Sequence, residues 1–146
     1  MPGGRVAFGW RHYWLIATIF PSAALAAGEP WTVMSSPNPG AYDDVNGVSC
    51  YAVDSCMAVG VYNPSDTTPQ QALTETLTGP SSSWAVLGNP TGADTELEAV
   101  SCVSSTWCVA VGEDGDGSLI LSWTGTAWSM MTAPVVGAQS VLSGVS

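Results

Sequence analysis

The side chains able to do chemistry in this chain are carboxylates and cysteines, with little beside them. Twelve Asp and Glu stand against two Lys or Arg and one His. The three basic side chains, Arg5, Arg11 and His12, all lie near the N-terminus, so residues 27–146 hold every acid and no cation. Catalysis built on an imidazole, an amine or a guanidinium is excluded from that stretch. Neither a Ser-His-Asp triad nor a Cys-His pair can be assembled there. Nucleic-acid binding is excluded too, because displacing phosphate counterions needs Lys and Arg. Anionic lipids and phosphorylated ligands lose their usual side-chain partners for the same reason.

Two carboxylates alone can hydrolyse a glycoside, one as acid and one as nucleophile or base. The candidates are Asp43, Asp44, Asp94, Glu96, Glu98, Glu113, Asp114 and Asp116. All are expected in turns or at strand starts, where a solvated acid is the ordinary finding. No catalytic residue is assigned among them. Glu113-Asp114-Gly115-Asp116-Gly117 is the densest acidic loop, and oxygen-rich turns of this kind can hold Ca²⁺. Glu113, Asp114 and Asp116 are therefore weak calcium candidates. The stretch departs from an EF-hand loop at Ser118 and lacks the distal Glu. One short loop supplies few of the six to eight oxygens that Ca²⁺ takes. No metal and no other cofactor is expected.

The four cysteines come as two pairs of equal spacing, Cys50 with Cys56 and Cys102 with Cys108. Each pair flanks a short turn between two apolar runs, the neck of a hairpin. Neighbouring strands lie close enough there for a disulfide. Pairing within each repeat is one of three connectivities open to four cysteines, and the recurrence of the spacing favours it. A zinc site is the alternative, but structural zinc usually takes a shorter C-x₂₋₄-C spacing.

The elements that must position these groups begin after residue 26. Arg5, Arg11 and His12 precede the apolar run Tyr13–Phe20, then Pro21 and the small residues Ser22–Ala27. Ala24-Leu25-Ala26 fits the small-x-small rule, so residues 1–26 are expected to be a cleaved export signal. The apolar stretch is short of the roughly 20 residues that a span requires. No stable membrane span is expected after cleavage. The mature chain would be secreted or held at the cell surface, an oxidising setting in which cysteines pair.

The rest is a repeat, and self-similarity decides the fold expectation. Trp31-Thr-Val-Met-Ser-Ser-Pro37 recurs as Trp84-Ala-Val-Leu-Gly-Asn-Pro90 and Trp128-Ser-Met-Met-Thr-Ala-Pro134. Val45-Asn-Gly-Val-Ser-Cys50 matches Leu97-Glu-Ala-Val-Ser-Cys102 and Leu142-Ser-Gly-Val-Ser146. Cys56-Met-Ala-Val-Gly60 matches Cys108-Val-Ala-Val-Gly112. Leu73-Thr-Glu-Thr-Leu-Thr-Gly79 matches Leu119-Ile-Leu-Ser-Trp-Thr-Gly125. Length differences fall between these segments, where turns tolerate them. The units are about 31–83, 84–127 and 128–146. Each full unit reads as four antiparallel strands, the first starting at the Trp. The fold class is all-β, with two full propeller-like blades and the start of a third. Trp31, Trp84 and Trp128 recur in phase and read as packing residues, as does Trp123, which aligns with Leu77. Trp107 aligns with Ser55 in the turn between the cysteines. It is the candidate ligand contact, against the plainer reading of a turn residue packed on its disulfide.

The pattern Val-Ser-Cys…Cys-x-Ala-Val-Gly…Gly…Trp resembles the repeats of secreted actinobacterial β-propeller proteins. It is more loosely similar to sialidase-type and photosystem-assembly-type blades. The resemblance covers residues 31–146 and implies an incomplete propeller, since closed rings take 4–8 blades. The chain is therefore expected to be a piece of a longer protein; the alternatives are a chain that self-associates to complete a ring, or an open stack of two units with exposed edges. A sialidase activity is not implied, because the arginines that hold its substrate are missing. Propellers host unrelated activities, so the resemblance selects none. The leading expectation is a non-catalytic module that binds an extracellular protein or glycan, or acts as a scaffold. The runner-up is part of an extracellular carbohydrate-active enzyme working through carboxylates.

Overall fold

The computed structural model describes residues 13–14, 33–79, 83–115, 117–134, 137 and 140–146. The expected signal, 1–26, lies outside these residues except for Tyr13–Trp14, and so do Trp31 and Asp116. The described residues form strands and connections and no helix, so the all-β expectation holds. No helix among them is long and apolar enough to cross a membrane.

Ten strands are described: β1 (Tyr13–Trp14), β2 (Met34–Ser35), β3 (Tyr42–Ala52), β4 (Ser55–Asn63), β5 (Gln71–Thr78), β6 (Ala85–Val86), β7 (Thr95–Ser104), β8 (Trp107–Asp114), β9 (Ser118–Trp123) and β10 (Trp128–Met130). β3-β4-β5-β6 form one four-stranded antiparallel sheet and β7-β8-β9-β10 a second. β1 pairs with β2 apart from both. Each sheet is a meander in chain order, which short turns alone can connect. β4 and β8 are inner strands and carry the Ala-Val-Gly runs. Residues 56–61 of β4 are buried on both faces. Such a strand reads as a continuous apolar run rather than an alternating one.

The sheets are offset from the sequence units by one strand. The Trp-led segment does not open its own unit's sheet. Instead β6, just after Trp84, closes the sheet of the preceding unit, and β10 closes the second sheet in the same way. The physical reason is the connection. The Gly79-to-Trp84 link is short enough for antiparallel return onto β5, whereas residues 87–94 carry the chain to a new sheet. Hydrogen bonds fasten that crossing. Ala72 N–H donates to Thr95 Oγ1 at 2.9 Å, and Asn89 Nδ2 donates to Ala72 O at 2.9 Å.

The two sheets stack face to face, with β7 lying across β3, β4 and β5. Strand alternation decides which side chains meet. Met57, Val59 and Ala72 of the first sheet pack against Leu97, Val100, Cys108, Ala110, Leu119, Leu121 and Trp128 of the second. The opposite face of the first sheet holds a smaller cluster of Cys56, Ala58, Leu77 and Trp84. Met34 and Val45 pack on it. Thus the same face of the repeat, the one bearing the second Cys and the first Ala, meets a neighbouring sheet in one unit. In the other it meets the segment 33–41.

Candidate functional site

The molecule has two chemically distinct ends, and the hairpins create them. β3 and β7 lie side by side and run the same way. Cys102 N–H donates to Ser49 Oγ at 2.9 Å, and Asn46 Nδ2 donates to Leu97 O at 3.0 Å. The β3–β4 and β7–β8 turns therefore project from one end, while the starts of β3 and β7 lie at the other.

At the hairpin end the four cysteines pair within each unit, Cys50–Cys56 and Cys102–Cys108. The partners face each other directly across the ladder, with Cα atoms 3.9 and 4.0 Å apart. Each bridge closes the neck of a two-residue turn. Asp54 takes a left-handed φ of 53° in the first turn, a conformation that Asp tolerates better than most residues. Beyond the bridges the tips carry apolar side chains open to solvent beside the polar turn residues Asp54, Ser105 and Thr106. Trp107 is 62% exposed, Val103 76% and Val53 68%. Trp107 stands directly opposite Ser104. Trp123 reaches the same turn from β9, where its Nε1–H donates to Ser105 O at 3.0 Å. Its ring lies 5.5 Å from that of Trp128. Trp84 and Trp128 are buried in the sheets, and Trp123 is half-buried against the core. Trp107 is thus open to solvent where Trp84, Trp123 and Trp128 are buried or half-buried.

The opposite end gathers carboxylates. Asp43 and Asp44 open β3, Glu96 and Glu98 open β7, and Glu113 and Asp114 close β8. Asp43, Asp44, Glu96 and Glu98 thus lie at strand starts, whereas Glu113 and Asp114 lie at a strand end. Glu96 and Glu113 are directly opposite each other. Like charges so placed repel. Asn46 Nδ2 at 2.9 Å and Gln70 Nε2 at 3.4 Å donate to Glu96. Partial burial pushes the Glu98 carboxyl up, and Glu96 and Glu113 add to it. The Tyr42 hydroxyl donates to Asp44, and that carboxylate holds the phenol above its usual range. Asp94 lies in the approach to β7 with a left-handed φ of 56°. Among the described residues, no group of three or more His, Cys, Asp or Glu is placed to hold a metal ion. Glu113 and Asp114 are ladder residues of β8, and Asp114 N–H donates to Gly117 O at 2.9 Å.

Comparison with known proteins finds no matching family model, curated protein or solved structure.

Reading by residue type missed Glu75. It lies on β5 with 1% of its surface exposed. Ser36 Oγ donates to its Oε2 at 2.7 Å, while its Oε1 has no hydrogen-bond partner among the described residues. A signal was present in the repeat: Glu75 aligns with Leu121, a core residue, and cannot be a turn acid.

Proposed function

We propose that this chain is a secreted, non-catalytic repeat module of β-propeller type that binds an extracellular glycan or protein through its hairpin end. The observation that carries the reading is the exposed Trp107, set at the tip of a hairpin that the Cys102–Cys108 disulfide braces. A rigid aromatic offers large contact area at little entropic cost, which suits both a sugar face and a protein anchor. Residues 27–146 carry no cation, which points to neutral or cationic partners and away from anionic ones. The two disulfides fit an oxidising, extracellular setting. The two stacked meanders fit two blades of a propeller, with β3 and β7 nearest its axis. Further units or a second copy of the chain would complete the ring.

The test is a screen of the purified chain against immobilised neutral glycans and extracellular proteins, repeated with Trp107→Ala. The expected result is binding without turnover, weakened at least about tenfold by the substitution, with an unchanged melting temperature. Equal binding by the variant would move the site elsewhere.

The second reading, part of a carbohydrate-active enzyme, draws on the acidic end. There burial and two neighbouring carboxylates push Glu98 up, the setting in which a carboxyl acts as general acid. Hydrolysis of a glycan that is lost in Glu98→Gln would establish it in place of the first.

A further inference from the structure

Glu75 occupies a place where the fold elsewhere puts a leucine. Glu75 pairs with Ala58 across β4–β5, as Leu121 pairs with Ala110 across β8–β9. Leu121 is 0% exposed and packs between the two sheets. On the first sheet the equivalent face is covered by no four-stranded sheet among the described residues. It is covered by the segment 33–41, whose Met34 packs on the cluster of Cys56, Ala58, Leu77 and Trp84. Ser36 of that segment makes the hydrogen bond to Glu75.

An ionised carboxylate there is badly served. One oxygen has a single hydroxyl donor and the other has none among the described residues. A buried charge without a counter-ion costs far more than a buried neutral acid. The described groups that face it do not help. Residues 33–41 and β6 carry no titratable side chain. Tyr62 of β4 gives its hydroxyl proton to Gln71. Asp43 of β3 is itself buried, and its charge acts on Glu75 in the unfavourable direction.

We infer that Glu75 and Ser36 form a proton-operated clasp: protonated Glu75 keeps the segment 33–41 seated on the first sheet, and ionised Glu75 draws in water by releasing it. Release uncovers Leu77, Ala58 and Trp84, the face that in the second sheet makes the inter-sheet contact. The direction follows from linkage. Burial raises the carboxyl above its ordinary value, while the Ser36 bond pulls the other way. The seated form therefore holds the proton more tightly than the released form. Release grows as pH rises from the ordinary glutamate range to the raised one, by at most about tenfold per pH unit for one proton.

Two measurements on the full chain test this. The first is the pH titration of the Glu75 side-chain carboxyl by ¹³C NMR. The second is amide hydrogen exchange of residues 33–41, corrected for the intrinsic pH dependence of exchange. The expected results are a carboxyl that titrates above the ordinary range and protection that falls as it ionises. Glu75→Gln should hold the segment seated at every pH. Ser36→Ala should weaken protection at every pH while keeping the slope. Should Glu75→Gln not fold, Glu75→Leu, the residue of the second unit, replaces it. An ordinary titration of Glu75, or the same pH slope in wild type and in the uncharged variant, would overturn the inference.

Discussion

Gly60 and Gly112 show how single residues hold this architecture together. Each ends an Ala-Val-Gly run, and each faces a register shift in the strand beside it, between Val45 and Gly47 or between Leu97 and Ala99. An added Cβ would meet the carbonyl oxygen of Asp44 or Glu96 at 2.0 Å. Those oxygens belong to backbone and cannot swing away. The glycine is therefore required by close approach of the bulged strand, with no demand on φ. Gly112→Ala is expected to destabilise the chain by about 1–3 kcal/mol, the cost of overpacking a tight site, read as a lower urea midpoint. Trp107→Ala belongs at the same scale with the opposite outcome. An exposed side chain outside the core should cost no more than about 0.5 kcal/mol, so any loss of binding in that variant reports contact rather than unfolding.

At the scale of the element, the hairpin is the unit that carries the proposed site. Each disulfide closes a loop with sequence separation 6 at the tip of a strand pair. A loop of that size removes about 2 kcal/mol of unfolded-state entropy. Replacing Cys102 and Cys108 together by Ser should lower unfolding free energy by about that amount, measured by denaturant titration. The same change should loosen the tip that bears Trp107 and weaken ligand capture further than stability alone requires. The edges β6 and β10 are short, two and three residues, which limits strand addition from outside.

For the whole molecule, charge dominates. The formal net charge is −10, with the cations confined to the N-terminal region. Self-repulsion of this kind is screened by salt. The melting temperature is expected to rise between low and moderate sodium chloride, and a flat response would show that the acids are already compensated. Acidity sets the pH response as well. Glu75 and Glu98 are both pushed above the ordinary glutamate value of 4.5. A carboxyl raised by folding binds more protons in the folded chain than in the unfolded one. Its contribution is complete below the unfolded value and is lost as pH rises through the folded value. Stability should therefore decline on going from mildly acidic to neutral pH, and Glu75→Gln should flatten that decline. A rise in stability over the same window would show that other carboxylates outweigh these two.

Sequence alone determined the local order. Repeated turn signals, the Ala-Val-Gly runs and equal cysteine spacing specify antiparallel hairpins with internal disulfides, because each depends on residues close along the chain. The burial of Trp84 and Trp128 followed from phase. Tertiary structure decided what depends on neighbours from elsewhere. Strand periodicity identifies two faces but not what covers them, so the offset between unit and sheet was hidden in the connections. The gathering of Asp43, Glu96, Glu98 and Glu113 at one end needed the parallel placement of β3 beside β7. Glu75 makes the point most sharply. Its residue type predicts a solvated surface acid, and only the stacking of segment 33–41 over β5 turns it into a buried carboxyl held by one serine.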